Sequence, residues 1–178
     1  MIDILFYIAI ALVLIVAALL AYAATGPDTF RVQRSTGINA PAERIFPLIA
    51  SLRSMNTWNP FLEPDPAIKL AYSGPDSGKG AAHTWSGNSK VGEGRIEITD
   101  AARSSRVAMQ LDMVKPMKGS SAVEFTLQPN GNTTTVTWTM SGRQSFIVRL
   151  MSVFIDCDKM VGPQFEKGLG KLKAIAER

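Results

Sequence analysis

The chain has 178 residues, 46% of them hydrophobic, and its 19 Lys and Arg against 15 Asp and Glu give a net charge of +4. That length holds one domain of ordinary size beside a membrane segment. The single cysteine excludes an internal disulfide, one histidine with one remote cysteine cannot furnish a tetrahedral metal set, and the scattered basic residues form no nucleic-acid footprint, so neither metal, cofactor nor nucleic acid is expected.

From Ile4 to Ala24 the sequence runs ILFYIAIALVLIVAALLAYAA without a charged side chain. At about 1.5 Å per helical residue, roughly 21 residues span about 30 Å, the thickness of a bilayer core. The rival is a cleaved secretory signal, favoured by the small-x-small triplet Ala21-Tyr22-Ala23. No Lys or Arg precedes the run and it is longer than a signal core, so the expectation is an uncleaved anchor over residues 1–25 and a domain over 26–178. Arg31 and Arg34 follow the run and none precede it, which orients the domain toward the cytoplasm as a single-pass protein. The short Thr25-Gly26-Pro27-Asp28 punctuation keeps the domain close to the bilayer surface.

Phe30 to Ile38 alternates as a first strand. Pro41 with Glu43 in the first turn predicts a helix from Pro41 to about Ala50, with Ile45, Leu48 and Ile49 as its apolar face and a break at Pro47. Three prolines between Trp58 and Pro66 predict an extended loop. From Ala67 the period becomes two, interrupted by turn residues at 74–80, 87–90, 103–104, 116–119 and Asn130-Gly131, which gives about six strands. Val107, Met109, Leu111 and Met113 share one face, as do Val123, Phe125 and Leu127, then Val136, Trp138 and Met140. Thr133, Thr135, Thr137 and Thr139 lie opposite, the mark of an antiparallel meander covered on one side. Helical spacing returns over Phe146 to Met160, with a break expected at Gly162-Pro163, then over Pro163 to Ala176 with Phe165, Leu169, Leu172 and Ala176 on one face.

This α+β order resembles the SRPBCC superfamily (START and pollen-allergen-like domains), in its polyketide cyclase/dehydrase branch. The likeness is carried by Ile38-Asn39-Ala40-Pro41-Ala42-Glu43 before Ile45-Phe46, by Trp58-Asn59-Pro60-Phe61 with Asp65-Pro66, and by Gly80-Ala81 with Trp85-Ser86-Gly87-Asn88. Val91-Gly92-Glu93-Gly94, Thr137-Trp138-Thr139-Met140 and Gly162-Pro163-Gln164-Phe165-Glu166-Lys167-Gly168-Leu169 extend it across Phe30 to Ala176. Phe61 departs from an expected second tryptophan, and Pro47 interrupts the first helix. The resemblance implies a helix-grip fold, a curved antiparallel sheet wrapped around a long C-terminal helix. It also implies a deep apolar cavity between them, used across the family for lipids, sterols, hydrophobic hormones or polyketide intermediates.

His83 is the one side chain whose ordinary pKa suits proton transfer near neutrality, and parity puts it beside Ala81 and Trp85. Its structural alternative is a hydrogen-bonded or surface strand histidine. Cys157 lies in Asp156-Cys157-Asp158, where flanking acids oppose a thiolate, so it reads as structural. Glu93, Glu97, Asp112 and Glu124 read as outer-face carboxylates, and 74–80 as a turn rather than a phosphate loop. The candidate ligand-binding residues are Trp58, Phe61, Tyr72, His83 and Trp85, with Met109, Met113, Phe125, Trp138 and Met140 from the later strands. Apolar lining of this kind is shared by pockets and plain cores. Gly168 and Gly170 within a helix point to close packing. The expected function is non-enzymatic binding of a hydrophobic small molecule or lipid at a membrane. The alternatives are a cyclase or dehydratase using His83, and an interaction module whose interior is filled by its own side chains.

Overall fold

The computed structural model describes residues 2–144, 146–152 and 157–178. The N-terminal run forms α1 (Ile2–Thr25). Ile4, Phe6, Leu12, Leu14 and Ile15 are exposed, and Leu19 is half-buried. Among the described residues no helix is long and apolar enough to cross a membrane.

The remaining elements are β1 (Thr29–Ile38), α2 (Ala42–Ala50), α3 (Leu52–Met55), a 3-10 turn (Pro60–Leu62), β2 (Lys69–Ser73), β3 (Ala82–Ser86), β4 (Glu93–Ala102), β5 (Arg106–Lys115), β6 (Gly119–Asn130), β7 (Thr133–Arg143), α4 (Phe146–Ser152) and α5 (Cys157–Ala176). The strands form one antiparallel sheet in the order β1-β7-β6-β5-β4-β3-β2. From β2 to β7 it is a meander, and β1 pairs with β7 along its full length, Thr29 opposite Arg143 and Ile38 opposite Thr134. Register shifts at Glu93/Gly94 and Ile98/Asp100 bend β4, which helps the sheet curl. α5 lies across β1 and β7 and buries Phe165, Leu169, Leu172 and Ala176, the face its spacing predicts, together with Val161.

Several local expectations are corrected. Helix α2 runs unbroken through Pro47, and Pro41 caps it in an extended conformation (φ −68°, ψ 151°) instead of opening it. Ile45 and Ile49 are fully buried, and this packing outweighs the roughly 3 kcal/mol that an interior proline costs. The loop from Trp58 to Pro66 is not wholly extended, because Asn59 accepts a hydrogen bond from the Phe61 N–H (3.1 Å) and starts the 3-10 turn. Helix α5 continues through Gly162-Pro163 without a break. Gly162 is where Arg34 enters: a Cβ there would stand 2.0 Å from Arg34 Nη2. The Arg34 guanidinium bonds Asp158 (2.7 and 2.8 Å) and Glu166 (2.7 Å), fixing α5 to β1 on both sides of Pro163. The expected helix over Phe146 to Met160 is present as α4 and the start of α5, and residues 153–156 lie outside the described residues.

Candidate functional site

The inner face of the sheet is built in rows by the strand register. One row joins Leu70, Trp85, Gly94 and Met113. The next joins Tyr72, His83, Ile96 and Leu111 and continues through Ser121 and Gly142 to Phe30. Deeper still lie Val107, Phe125 and Trp138. Burial follows these rows. Val107 and Phe125 are inaccessible and Trp138 is nearly so, whereas Leu70, Tyr72, Leu111, Met113, Met140 and Phe30 are only half-buried. The inner face is therefore closed under α2 and the C-terminal half of α5. It opens toward the end where β1 begins and α1 leaves.

The closed end is an aromatic cluster. Trp138 stacks on Phe165 (4.1 Å between centroids, 7° between planes), lies 4.9 Å from Phe125, and meets Trp58 edge-on at 5.8 Å. Phe61 reaches Trp138 and Phe165 at 6.1 and 6.2 Å. The Trp58 indole donates to the Leu48 carbonyl (3.0 Å), tying the loop to α2. Trp58, Phe125 and Trp138 thus fill this end with one another. Gly168 admits them, since a Cβ there would lie 2.8 Å from Trp138 and 3.0 Å from Pro60; Gly170, by contrast, faces open space, against expectation. Met109 is buried between this cluster and the open rows.

The open end carries the polar groups. His83 is 3% exposed, its ring 5.5 Å from Tyr72 and 5.9 Å from Trp85. Burial pushes its pKa below 6.5, against a smaller upward pull from the Thr84 backbone, so the imidazole is neutral at neutral pH. The Nδ1 atom is buried without a hydrogen-bond partner among the described residues, and Nε2 has only a long contact (3.4 Å) with Asn56 Nδ2. That amide donates to the Tyr72 hydroxyl (2.9 Å), which leaves the hydroxyl proton free to donate onward. Arg53 covers the outer side of the Tyr72 ring at 4.1 Å. Gly94 makes room for Trp85, because a Cβ there would stand 2.5 Å from the indole.

The candidate residues therefore fall into two groups: the buried Trp58, Phe125 and Trp138 with the exposed Phe61 at the closed end, and the half-buried Tyr72, Met113 and Met140 beside the buried His83 and Trp85 at the open end, with Met109 buried between them. Sequence reasoning missed Asn56, which sits in a loop without periodicity, and gave Phe165 and Leu111 only as packing positions. The four carboxylates do not converge: Glu93 pairs with Lys115 (3.0 Å), Glu97 with Arg95 (2.5 Å) and Glu124 with Arg106 (3.2 Å), while Asp112 accepts from Ser120. A cleft of about 70 Å³ beside Arg53 and Tyr72 is too small for an organic ligand. An open groove of about 400 Å³ at β2–β4 is walled by Lys69, Ala71, Thr84, Ser86, Glu93 and Val114 together with Leu70, Trp85 and Gly94 of the inner row.

Sheet, helix and apolar inner face define an α+β helix-grip domain. The family model described as polyketide cyclase / dehydrase and lipid transport matches residues 29–177. The chain belongs to this family, and with it to the SRPBCC superfamily. Among solved structures it is similar in fold to protein CV1439 from Chromobacterium violaceum (14% identity, 86% of this chain and 99% of that one, TM-score 0.59). It is also similar to the Aha1 dimer of Colwellia psychrerythraea (19%, 83% and 96%, 0.58) and to Ara h 8.0201 (12%, 83% and 95%, 0.54). No curated protein matches the chain in sequence.

Proposed function

We propose that this protein binds a hydrophobic small molecule or lipid against the open inner rows of the sheet, without turning it over. The observation that carries this reading is the gradient of burial along the inner face, from the packed Phe125 and Trp138 to the half-buried Leu70, Leu111, Met113 and Met140. Apolar side chains in partial contact with water favour an apolar occupant, and flexible methionines adapt to its shape. His83 and Tyr72 offer such a ligand a polar end to bond, and the family's description, which includes lipid transport, agrees.

The same proposal makes α1 a single-pass anchor with the domain on the cytoplasmic side. Its support is a helical backbone over Ile2–Thr25, a sequence without charge from Ile4 to Ala24, and apolar side chains exposed around the helix. The open rows then face the bilayer from which a lipid would come.

The test is extraction of the purified full chain with organic solvent and mass spectrometry of the extract, with displacement of a fluorescent fatty acid as a second readout. A stoichiometric apolar ligand, displaced by the probe, is expected. An empty extract together with no probe binding would remove the reading. A second reading, a cyclase or dehydratase, draws on the neutral, buried His83; His83→Gln with unchanged turnover of an identified substrate would eliminate it.

A further inference from the structure

The end of β5 and the turn into β6 carry Val114, Lys115, Pro116, Met117 and Lys118, all exposed, with Val114 at 49% and Met117 at 51%. This apolar pair at a hairpin end is flanked by lysines and lies outside the core, although Val114 also borders the groove at β2–β4. The strand register places it. Phe30, Gly142, Ser121 and Leu111 share one level, and one residue further lie Thr29 with Arg143 and Ser120 with Asp112. The next level pairs Met113 with Gly119, and on the β1 side the Gln144 N–H donates to the Asp28 carbonyl (2.7 Å). Residues 114–118 therefore project past Asp28 toward the level of Gly26, the residue after α1. Only β7 stands between β1 and β6, so the tip is two to three strand spacings, roughly 10–14 Å, from that exit. On the other side of the exit, the Arg149 guanidinium of α4 donates to the Gly26 carbonyl (3.2 Å) and Phe146 is 42% exposed.

The same end is basic. Asp28 faces Arg143 (3.6 Å) and Glu93 faces Lys115 (3.0 Å), while Lys69, Lys90 and Lys118 have no carboxylate within 4.0 Å among the described residues. At the opposite end of the sheet Arg106 is held between Asp100 and Glu124, while Lys79 and Arg103 have no carboxylate within 4.0 Å among the described residues.

We infer that the β5–β6 tip is a second membrane contact, in which Val114 and Met117 enter the headgroup region of an anionic bilayer and Lys115 and Lys118 bind its acidic headgroups. This rests on α1 being the anchor. With the exit of α1, α4 and the tip all touching the surface, the domain is held in one orientation with its open inner rows toward lipid, where a tether of a few residues alone would let it turn. Basic residues beside an anionic surface are attracted within about a Debye length, and the lysines lie at the tip itself.

The test uses the full chain in vesicles of phosphatidylcholine with a minority of phosphatidylserine. A fluorescent label is placed by Met117→Cys in a Cys157→Ser background, with Asn132→Cys at the opposite end of the sheet as control. The label at 117 is expected to shift to the blue and to lose most of its emission to a headgroup-proximal doxyl lipid, while that at 132 emits as in water. Adding Lys115→Glu and Lys118→Glu is expected to return the label at 117 to water while the chain still floats with the vesicles. If the chain floats but 117 is quenched no more than 132, the tip contact is overturned and the anchor stands; if the chain does not float at all, both fall. Shielding of 117 in detergent that rises with protein concentration would mean a second copy covers it, and would also overturn the inference. Should Cys157→Ser not fold, amide exchange of the unmodified chain decides the matter, with slowing at 114–118 in phosphatidylserine vesicles expected and equal exchange with and without that lipid overturning it.

Discussion

His83, packed among Tyr72, Ile96 and Trp85, is favoured by the fold in its neutral state alone, and this has a pH signature. Burial lowers its folded-state pKa below 6.5, the value that the unfolded chain keeps. Below that point the unfolded state binds the extra proton and the folded state does not. The contribution is therefore complete above 6.5 and is lost as pH falls through the folded-state value. The expected outcome is a melting temperature that is flat above neutrality and declines on acidification, at a rate of up to about 1.4 kcal/mol per pH unit. His83→Gln, of similar size and uncharged, should flatten that decline when melting is followed by circular dichroism in detergent. The pairs around Asp158, Asp100 and Glu63 do not confuse the result. Their carboxyls are held below the usual carboxylate range by Arg34, by Arg106, and by Lys167 with Lys171, so they lose their contribution only in a more acidic window.

Helix α5 shows how one element can be legible in its pattern and opaque in its exceptions. The spacing of Phe165, Leu169, Leu172 and Ala176 gave its buried face directly, but Gly162-Pro163 read as a break, because the partner that holds the two halves together, Arg34, is more than a hundred residues away in sequence. The same limit applies to Pro47 in α2, whose cost is offset by the burial of Ile45 and Ile49 against residues the local pattern does not name. Period and turn residues are local, so the strands, the hairpins and the shared face of His83, Ala81 and Trp85 could be read from sequence. Which inner positions stay open could not, because that depends on where α2 and α5 end over the sheet. The two helical glycines make the point measurable. Gly170→Ala meets open space and should raise stability by about 1 kcal/mol, the helix-propensity difference. Gly168→Ala drives a methyl against Trp138 and Pro60, and the overpacking, about 1–3 kcal/mol, should exceed the propensity gain and lower the melting temperature. A matching increase for both variants would mean that Trp138 and Pro60 yield freely, and that the aromatic end is itself adaptable.

At the scale of the whole molecule, the open rows, the exit of α1 and the lysine-flanked tip lie at one end of the sheet, and their common meaning depends on whether α1 crosses the bilayer or lies upon it. A helix that lies in the interface needs a polar face, whereas the sequence of α1 has no charge between Ile4 and Ala24, and large apolar residues at 4, 6, 8, 12, 14 and 15 are exposed around its circumference. Its 24 residues extend about 36 Å, enough for the hydrocarbon core. Leu14→Arg puts a guanidinium at the midpoint, at a cost of about 2.5–3.5 kcal/mol for a spanning helix and far less for one that can roll its charge to the water side. Carbonate extraction of membranes carrying the full chain should therefore leave the wild type in the pellet and release a large fraction of Leu14→Arg. An equal charge at Ala24, beside the interface, should leave the protein in the pellet. If Leu14→Arg is retained as firmly as the wild type, α1 does not span, and the orientation in which the sheet presents its open face to lipid must come from the tip and α4 alone.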